Sequence, residues 1–161
     1  MKRIAALAVV FLVAGCSAAS RDAASDTSDL KFSAPTLAGQ IFDTAAVVGV
    51  KPVVFWVWAP WCPTCNKEAP TVKAAFDQYG DRVQFIGIAG RDNIDAMNEF
   101  ANRHELTQMT NLVSEDGSLW TKVGVPGQPS WVFVDKESNV TRHIGPHEKD
   151  KLFAQLNALS S

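Results

Sequence analysis

The stretch from Pro52 to Trp58, Pro-Val-Val-Phe-Trp-Val-Trp, carries no charge and is dense in valine and aromatic residues. Such a run reads as a central strand covered on both faces. It leads directly into Ala59-Pro60-Trp61-Cys62-Pro63-Thr64-Cys65. The chain must therefore pass from a buried strand into a helix at a pair of cysteines. A thiol at a helix N-terminus meets unpaired backbone N–H groups and the positive end of the helix dipole, which favour the thiolate. The thiolate is the reactive form of cysteine. The second cysteine lies one turn along, close enough to close a disulfide on the first. This pattern implies thiol–disulfide exchange.

Bland uses of the pair compete with that reading. A purely structural disulfide does not account for the flanking Trp61 or the strand-to-helix setting. Zinc needs about four ligands, and His104, His143 and His147 have no ligand spacing to the pair. The histidines read as surface groups. No metal or other cofactor is expected, and no Gly-rich phosphate loop is present.

The remainder alternates between strand and helix patterns. Leu30 to Leu37 reads as a strand, with Gly39-Gln40 turning into Ile41-Phe42. A helix is predicted from Cys62 to Tyr79, kinked at Pro70. Val83 to Ala89 is a second buried strand. Asp92 or Asn93 caps a helix carrying Ile94, Met97, Phe100 and Ala101. A short strand at Asn111 to Val113 and a short helix at Gly117 to Val123 follow. Trp131 to Val134 and Val140 to Ile144 form a hairpin, and a last helix aligns Leu152, Phe153, Leu156 and Leu159. The expected class is α/β, a thioredoxin fold with a central mixed sheet flanked by helices on both faces.

The N-terminus carries an address. Lys2 and Arg3 precede an apolar stretch, Ile4 to Ala14, too short to span a bilayer as a mature helix. Leu12-Val13-Ala14-Gly15-Cys16 resembles a bacterial lipobox, which implies cleavage before Cys16 and lipidation of it. Residues 1–15 are then a lipoprotein signal peptide. Residues 16–29, small and polar, are the lipidated cysteine and a flexible tether. Residues 30–161 form the domain. Of three cysteines, Cys16 goes to lipid and only Cys62 and Cys65 remain in the domain. Outside the cytosol, disulfides are permitted. The net charge of −2 and the absence of a basic run give nucleic-acid binding no electrostatic support.

From Leu30 onward the chain resembles thioredoxin-fold proteins of the TlpA/ResA/DsbE type, and within them the secreted DsbE- and DsbF-type oxidoreductases of mycobacteria and related actinobacteria. The matching residues are Lys51-Pro52, Trp58 to Cys65, Glu68-Ala69-Pro70, Gly87-Ile88-Ala89-Gly90, Asp116 to Trp120 and Gln128 to Asp135. The resemblance makes Cys62 the exposed attacking cysteine and Cys65 the buried resolving one. It puts Pro129 at a cis-proline position beside the disulfide, with Gln128 before it. Trp61 and Pro63 are substrate-facing. Ordinary thioredoxins carry a buried aspartate six residues before the first cysteine, where this chain has Trp56. That leaves Glu68 as the acid that serves the buried thiol, and Trp56 and Trp58 as core residues.

The implied partners are unfolded or cysteine-containing secreted proteins, a membrane redox partner that re-oxidises or re-reduces the pair, and the membrane itself through the lipid. The family's members act as oxidants in the actinobacterial group and as reductants in cytochrome c maturation. Oxidation of secreted proteins is the favoured direction, and the reductant is its alternative. A redox-inactive surface lipoprotein that only binds is the non-enzymatic alternative, against which the intact cysteine pair argues. Peroxidase chemistry is disfavoured because peroxiredoxins place threonine where this chain has Ala59.

Overall fold

The computed structural model describes residues 27–161. The signal segment, Cys16 and most of the tether lie outside the described residues. A 3-10 turn at Ser28–Leu30 comes first and buries Leu30 completely.

Strands β1 (Ser33–Pro35) and β2 (Ile41–Asp43) form a two-stranded antiparallel ribbon. The strand expected over Leu30 to Leu37 is thus shorter, because Leu30 belongs to the preceding turn and Thr36 bridges to Leu112 instead. The central sheet contains β3 (Val53–Trp58), β4 (Gln84–Gly90), β5 (Thr110–Ser114), β6 (Ser130–Val134) and β7 (Val140–Ile144) in the order β5-β4-β3-β6-β7. β3, β4 and β5 are parallel; β6 is antiparallel to β3, and β7 to β6. Every residue of β3 is buried, as its charge-free sequence requires.

Among the described residues four α-helices complete the fold: α1 (Pro63–Tyr79), α2 (Ile94–Arg103), α3 (Ser118–Lys122) and α4 (Lys149–Leu159). The chain steps from β3 to β4 to β5 in one direction. Right-handed crossovers then put α1 and α2 on the same face of the sheet. α4 joins them, with Tyr79 Oη donating to the Phe153 carbonyl at 3.2 Å. Trp120 of α3 packs over Gly90 and donates to the Ile88 carbonyl, on the opposite face. A side chain at Gly90 would meet the Trp120 ring at 2.6 Å, so that approach requires glycine.

Asn93 caps α2, its Oδ1 accepting from Ala96 N at 2.9 Å. Pro70 does not divide α1, which is one helix of 17 residues with Pro70 on its exposed side. α1 starts one residue later than expected because Cys62 is its N-cap.

Candidate active site

The sheet brings the expected site residues to one end. β3 runs toward Cys62, so the α1 N-terminus lies at the C-terminal edge of the parallel strands. β6 pairs Ser130 with Val57. The residue before β6 therefore lies level with the end of β3, and that residue is Pro129. The Gln128–Pro129 peptide bond is cis. Pro129 is buried, Gln128 is half-buried and Pro63 is exposed. The Pro129 carbonyl accepts from Gly145 N at 2.9 Å, which ties this loop to the end of β7.

Cys62 and Cys65 are free thiols. The Cys62 side chain caps α1 by accepting from Cys65 N at 3.1 Å. Cys62 is 4% exposed and Cys65 0%. The attacking sulfur is therefore less open than the resemblance implied, because the N-cap position turns it inward over the first turn. Burial pushes the Cys65 thiol far above the ordinary cysteine range, and its hydrogen bond to Cys62 adds to this.

Glu68 lies on the buried face of α1, three residues beyond Cys65, and is 5% exposed. Its carboxylate accepts three N–H donors: Trp56 Nε1 to Oε2 at 2.9 Å, Trp131 Nε1 to Oε1 at 3.0 Å and His147 N to Oε1 at 2.6 Å. Two donors occupy Oε1, whereas Oε2 keeps a free lone pair. Trp56 and Trp131 are cross-strand partners, which aims both indoles at the same carboxylate. Trp56 stands where thioredoxins have their buried acid; here the acid comes from the helix and the strand supplies a donor that holds it. Trp56 and Trp58 are core residues, as expected, and both indoles also bond polar groups, Trp58 Nε1 reaching Asn111 Oδ1 at 3.3 Å.

Trp61 is 53% exposed beside Cys62. Its indole donates to the Arg91 carbonyl at 2.9 Å. Arg91 sits in the left-handed region at φ 57°, its guanidinium carbon 4.8 Å from the centre of the Trp120 ring.

Three contributors were missed in the sequence. Asn66 Nδ2 donates to the Pro60 and Cys62 carbonyls at 3.1 and 2.9 Å, pinning the turn before α1. Arg91 orients Trp61. His147, read as a surface group, places its amide on Glu68 and its ring against Trp131 and Phe133. His104 is likewise not a free surface group: Nε2 meets Asn66 Oδ1 at 3.0 Å, and burial with the adjacent Arg103 holds the ring below the usual histidine range. Asn66 carries the one local signal, lying one turn beyond Cys62.

Residues 27–143 match the AhpC/TSA family. The chain is 37% identical to the soluble secreted antigen MPT53 of Mycobacterium tuberculosis, over 98% of this chain and 91% of MPT53. It belongs to the AhpC/TSA family, among the DsbE/DsbF-type thiol–disulfide oxidoreductases. The solved structure of M. tuberculosis DsbF superposes with a TM-score of 0.77 at 43% identity, covering 81% of this chain and 96% of that one. A secreted M. tuberculosis disulfide oxidoreductase homologous to E. coli DsbE gives 0.75 at 38%, covering 81% and 98%. For a DsbE/DsbF-type protein, the cysteine pair at the start of α1 is the candidate redox centre.

Proposed function

We propose that this thiol–disulfide oxidoreductase works outside the cytosol, anchored to the membrane by lipid on Cys16, and oxidises cysteines of secreted proteins. The observation that carries the direction is the Cys62 sulfur at the α1 N-terminus, accepting the Cys65 amide. The aimed N–H bonds that sulfur in the dithiol form, and the α1 N-terminus presents it with further unpaired backbone N–H groups. Both interactions act on the reduced pair, and a more stable reduced form makes a stronger oxidant.

In the reaction, a substrate thiolate attacks Cys62 Sγ of the Cys62–Cys65 disulfide. The S–S bond breaks, a mixed disulfide forms, and Cys65 leaves as a thiolate. Burial demands that this sulfur be neutralised, and Glu68 gives it a proton from Oε2. A second substrate thiolate then attacks the substrate sulfur of the mixed disulfide and releases Cys62. A membrane redox partner re-oxidises the pair. Trp61, Pro63, Gln128 and Pro129 form the surface on which the substrate chain lies.

The location is supported by the charged and apolar start of the chain, by its lipobox and by the secreted character of MPT53. Mass spectrometry of the mature N-terminus tests the anchor: a chain starting elsewhere than at a lipidated Cys16 refutes it. For the direction, the protein in its disulfide form is mixed with a reduced, unfolded substrate. Stoichiometric oxidation is expected, abolished in Cys62→Ser. A potential near the roughly −270 mV of thioredoxin, with no substrate oxidation, makes the cytochrome c maturation reductant the better reading.

A further inference from the structure

The turn that carries Cys62 is held from outside α1. Asn66 donates both N–H groups of its carboxamide, to the Pro60 carbonyl at 3.1 Å and the Cys62 carbonyl at 2.9 Å. Both partners are carbonyls and only accept, so they fix which end of the amide is nitrogen. Oδ1 is then the acceptor end, and it faces His104 Nε2 at 3.0 Å. That ring nitrogen therefore carries a proton and donates it. Arg103 Nη1 reaches the same oxygen only at 3.5 Å, and its guanidinium pairs more closely with Glu99 at 2.7 Å. His104 is thus the main support of the Asn66 amide.

The imidazole of His104 is itself anchored. His104 is the C-cap of α2, and its backbone N–H donates to the Phe100 carbonyl at 3.1 Å. The imidazole packs against the Phe100 ring at 4.4 Å between centroids, and Phe100 stacks on Trp58 at 4.3 Å. Phe100 and Trp58 are fully buried, and Trp58 ends β3 just before the cysteine turn. The core therefore fixes the imidazole, the imidazole fixes the Asn66 amide, and the amide fixes the two carbonyls on either side of Trp61. Burial and the neighbouring Arg103 hold the ring below the usual histidine range, so at neutral pH it donates as the neutral Nε2–H tautomer.

We infer that His104 is a positioning residue of the redox centre, acting through Asn66 to hold Cys62 in place when the disulfide is open. The inference rests on the reading that Cys62 and Cys65 are the redox pair, and not on the direction of the reaction. In the disulfide form the S–S bond ties Cys62 to Cys65, so the turn is closed covalently. In the dithiol form, the state seen here, that tie is gone. Cys62 then keeps its place through hydrogen bonds. Its sulfur accepts from Cys65 N at 3.1 Å and its N–H donates to the Ala59 carbonyl at 3.2 Å. Its carbonyl accepts from both the backbone N–H and the side chain of Asn66. Losing the support of Asn66 therefore costs the dithiol form more than the disulfide form, and the pair becomes harder to reduce.

The test is the equilibrium with glutathione. Two glutathione thiols are oxidised to glutathione disulfide, and their two electrons and two protons open Cys62–Cys65 to the dithiol. His104→Phe and His104→Leu remove the donor and keep an apolar side chain against Phe100. Both are expected to shift the equilibrium toward the protein disulfide by about two- to tenfold, the reach of one neutral hydrogen bond. His104→Gln, whose amide can donate to Asn66 Oδ1, should restore most of the wild-type value. In an Asn66→Ala background His104→Phe should add no shift, because the amide it supports is gone. Urea midpoints should fall further in the dithiol form than in the disulfide form. Equal losses in the two forms with an unmoved glutathione equilibrium show a purely structural role and overturn the inference. A shift that persists in Asn66→Ala, a shift toward the dithiol, or a His104→Gln shift as large as that of His104→Phe overturns it too. A wild-type protein that does not exchange with glutathione overturns the redox-pair reading itself. If one donor-free variant fails to fold, the other decides.

Discussion

Glu68→Gln keeps the shape of the side chain and removes its charge, so it isolates what the three-donor cage contributes. The cage presents Trp56 Nε1 to Oε2, and Trp131 Nε1 with His147 N to Oε1. Glutamine offers one acceptor oxygen and one donor NH₂. The better orientation keeps the oxygen toward Trp131 and His147 and turns the NH₂ onto the Trp56 indole. A donor then faces a donor, and leaving a buried N–H unsatisfied costs about 1–3 kcal/mol. The two surviving hydrogen bonds fall from charge-assisted, about 1.5–3 kcal/mol each, to neutral, about 0.5–1.5 kcal/mol each. Removing a buried charge returns part of this through relieved desolvation. The net expected loss is about 2–4 kcal/mol, which at a mid-range urea slope of about 2 kcal/mol/M lowers the midpoint by about 1–2 M. Urea denaturation of the dithiol form at neutral pH measures it. In a Trp56→Phe background no indole donor is left to clash, so Glu68→Gln should cost less there by about 1–3 kcal/mol. An unchanged or raised midpoint, or the same cost in both backgrounds, would refute the cage as a source of stability.

Further outcomes follow from the same site. Burial raises the Cys65 thiol, so folded and unfolded chains both hold it protonated below about pH 8.5, the ordinary cysteine value. Above that pH the unfolded chain ionises first, and the dithiol form should lose up to about 1.4 kcal/mol per pH unit relative to Cys65→Ala; parallel pH profiles of the urea midpoint would contradict this. Cys65→Ser, lacking the resolving thiol, should accumulate a mixed disulfide at Cys62 when treated with an activated thiol, seen as an added mass on the intact protein. Arg91→Val should break the left-handed turn that presents its carbonyl to Trp61, because a β-branched residue resists positive φ, whereas Arg91→Gly should keep it. Trp61 is the exposed tryptophan among the described residues, so acrylamide quenching reports on it directly, and equal quenching in both variants would remove Arg91 from the site.

Much of the architecture is determined locally, and for that reason was legible. The charge-free run at Val53–Trp58, the Asn93 cap and the β6–β7 hairpin are each written in neighbouring residues, since burial on two faces, capping and turn formation are short-range requirements. The cysteine pair at a helix start belongs with them: strand, turn and thiols are consecutive. The setting of Glu68 does not. Its position on the buried face of α1 follows from spacing, but its donors lie 12, 63 and 79 residues away. Only the register that puts Trp131 opposite Trp56 brings two indoles onto one carboxylate, and only the path of the chain after β7 carries the His147 amide to the same oxygen. The sequence alone thus determined a cysteine pair at a helix start on an α/β scaffold. The tertiary structure decided how the buried Glu68 carboxylate is held, because strand register and long-range packing set those contacts and no local pattern encodes them.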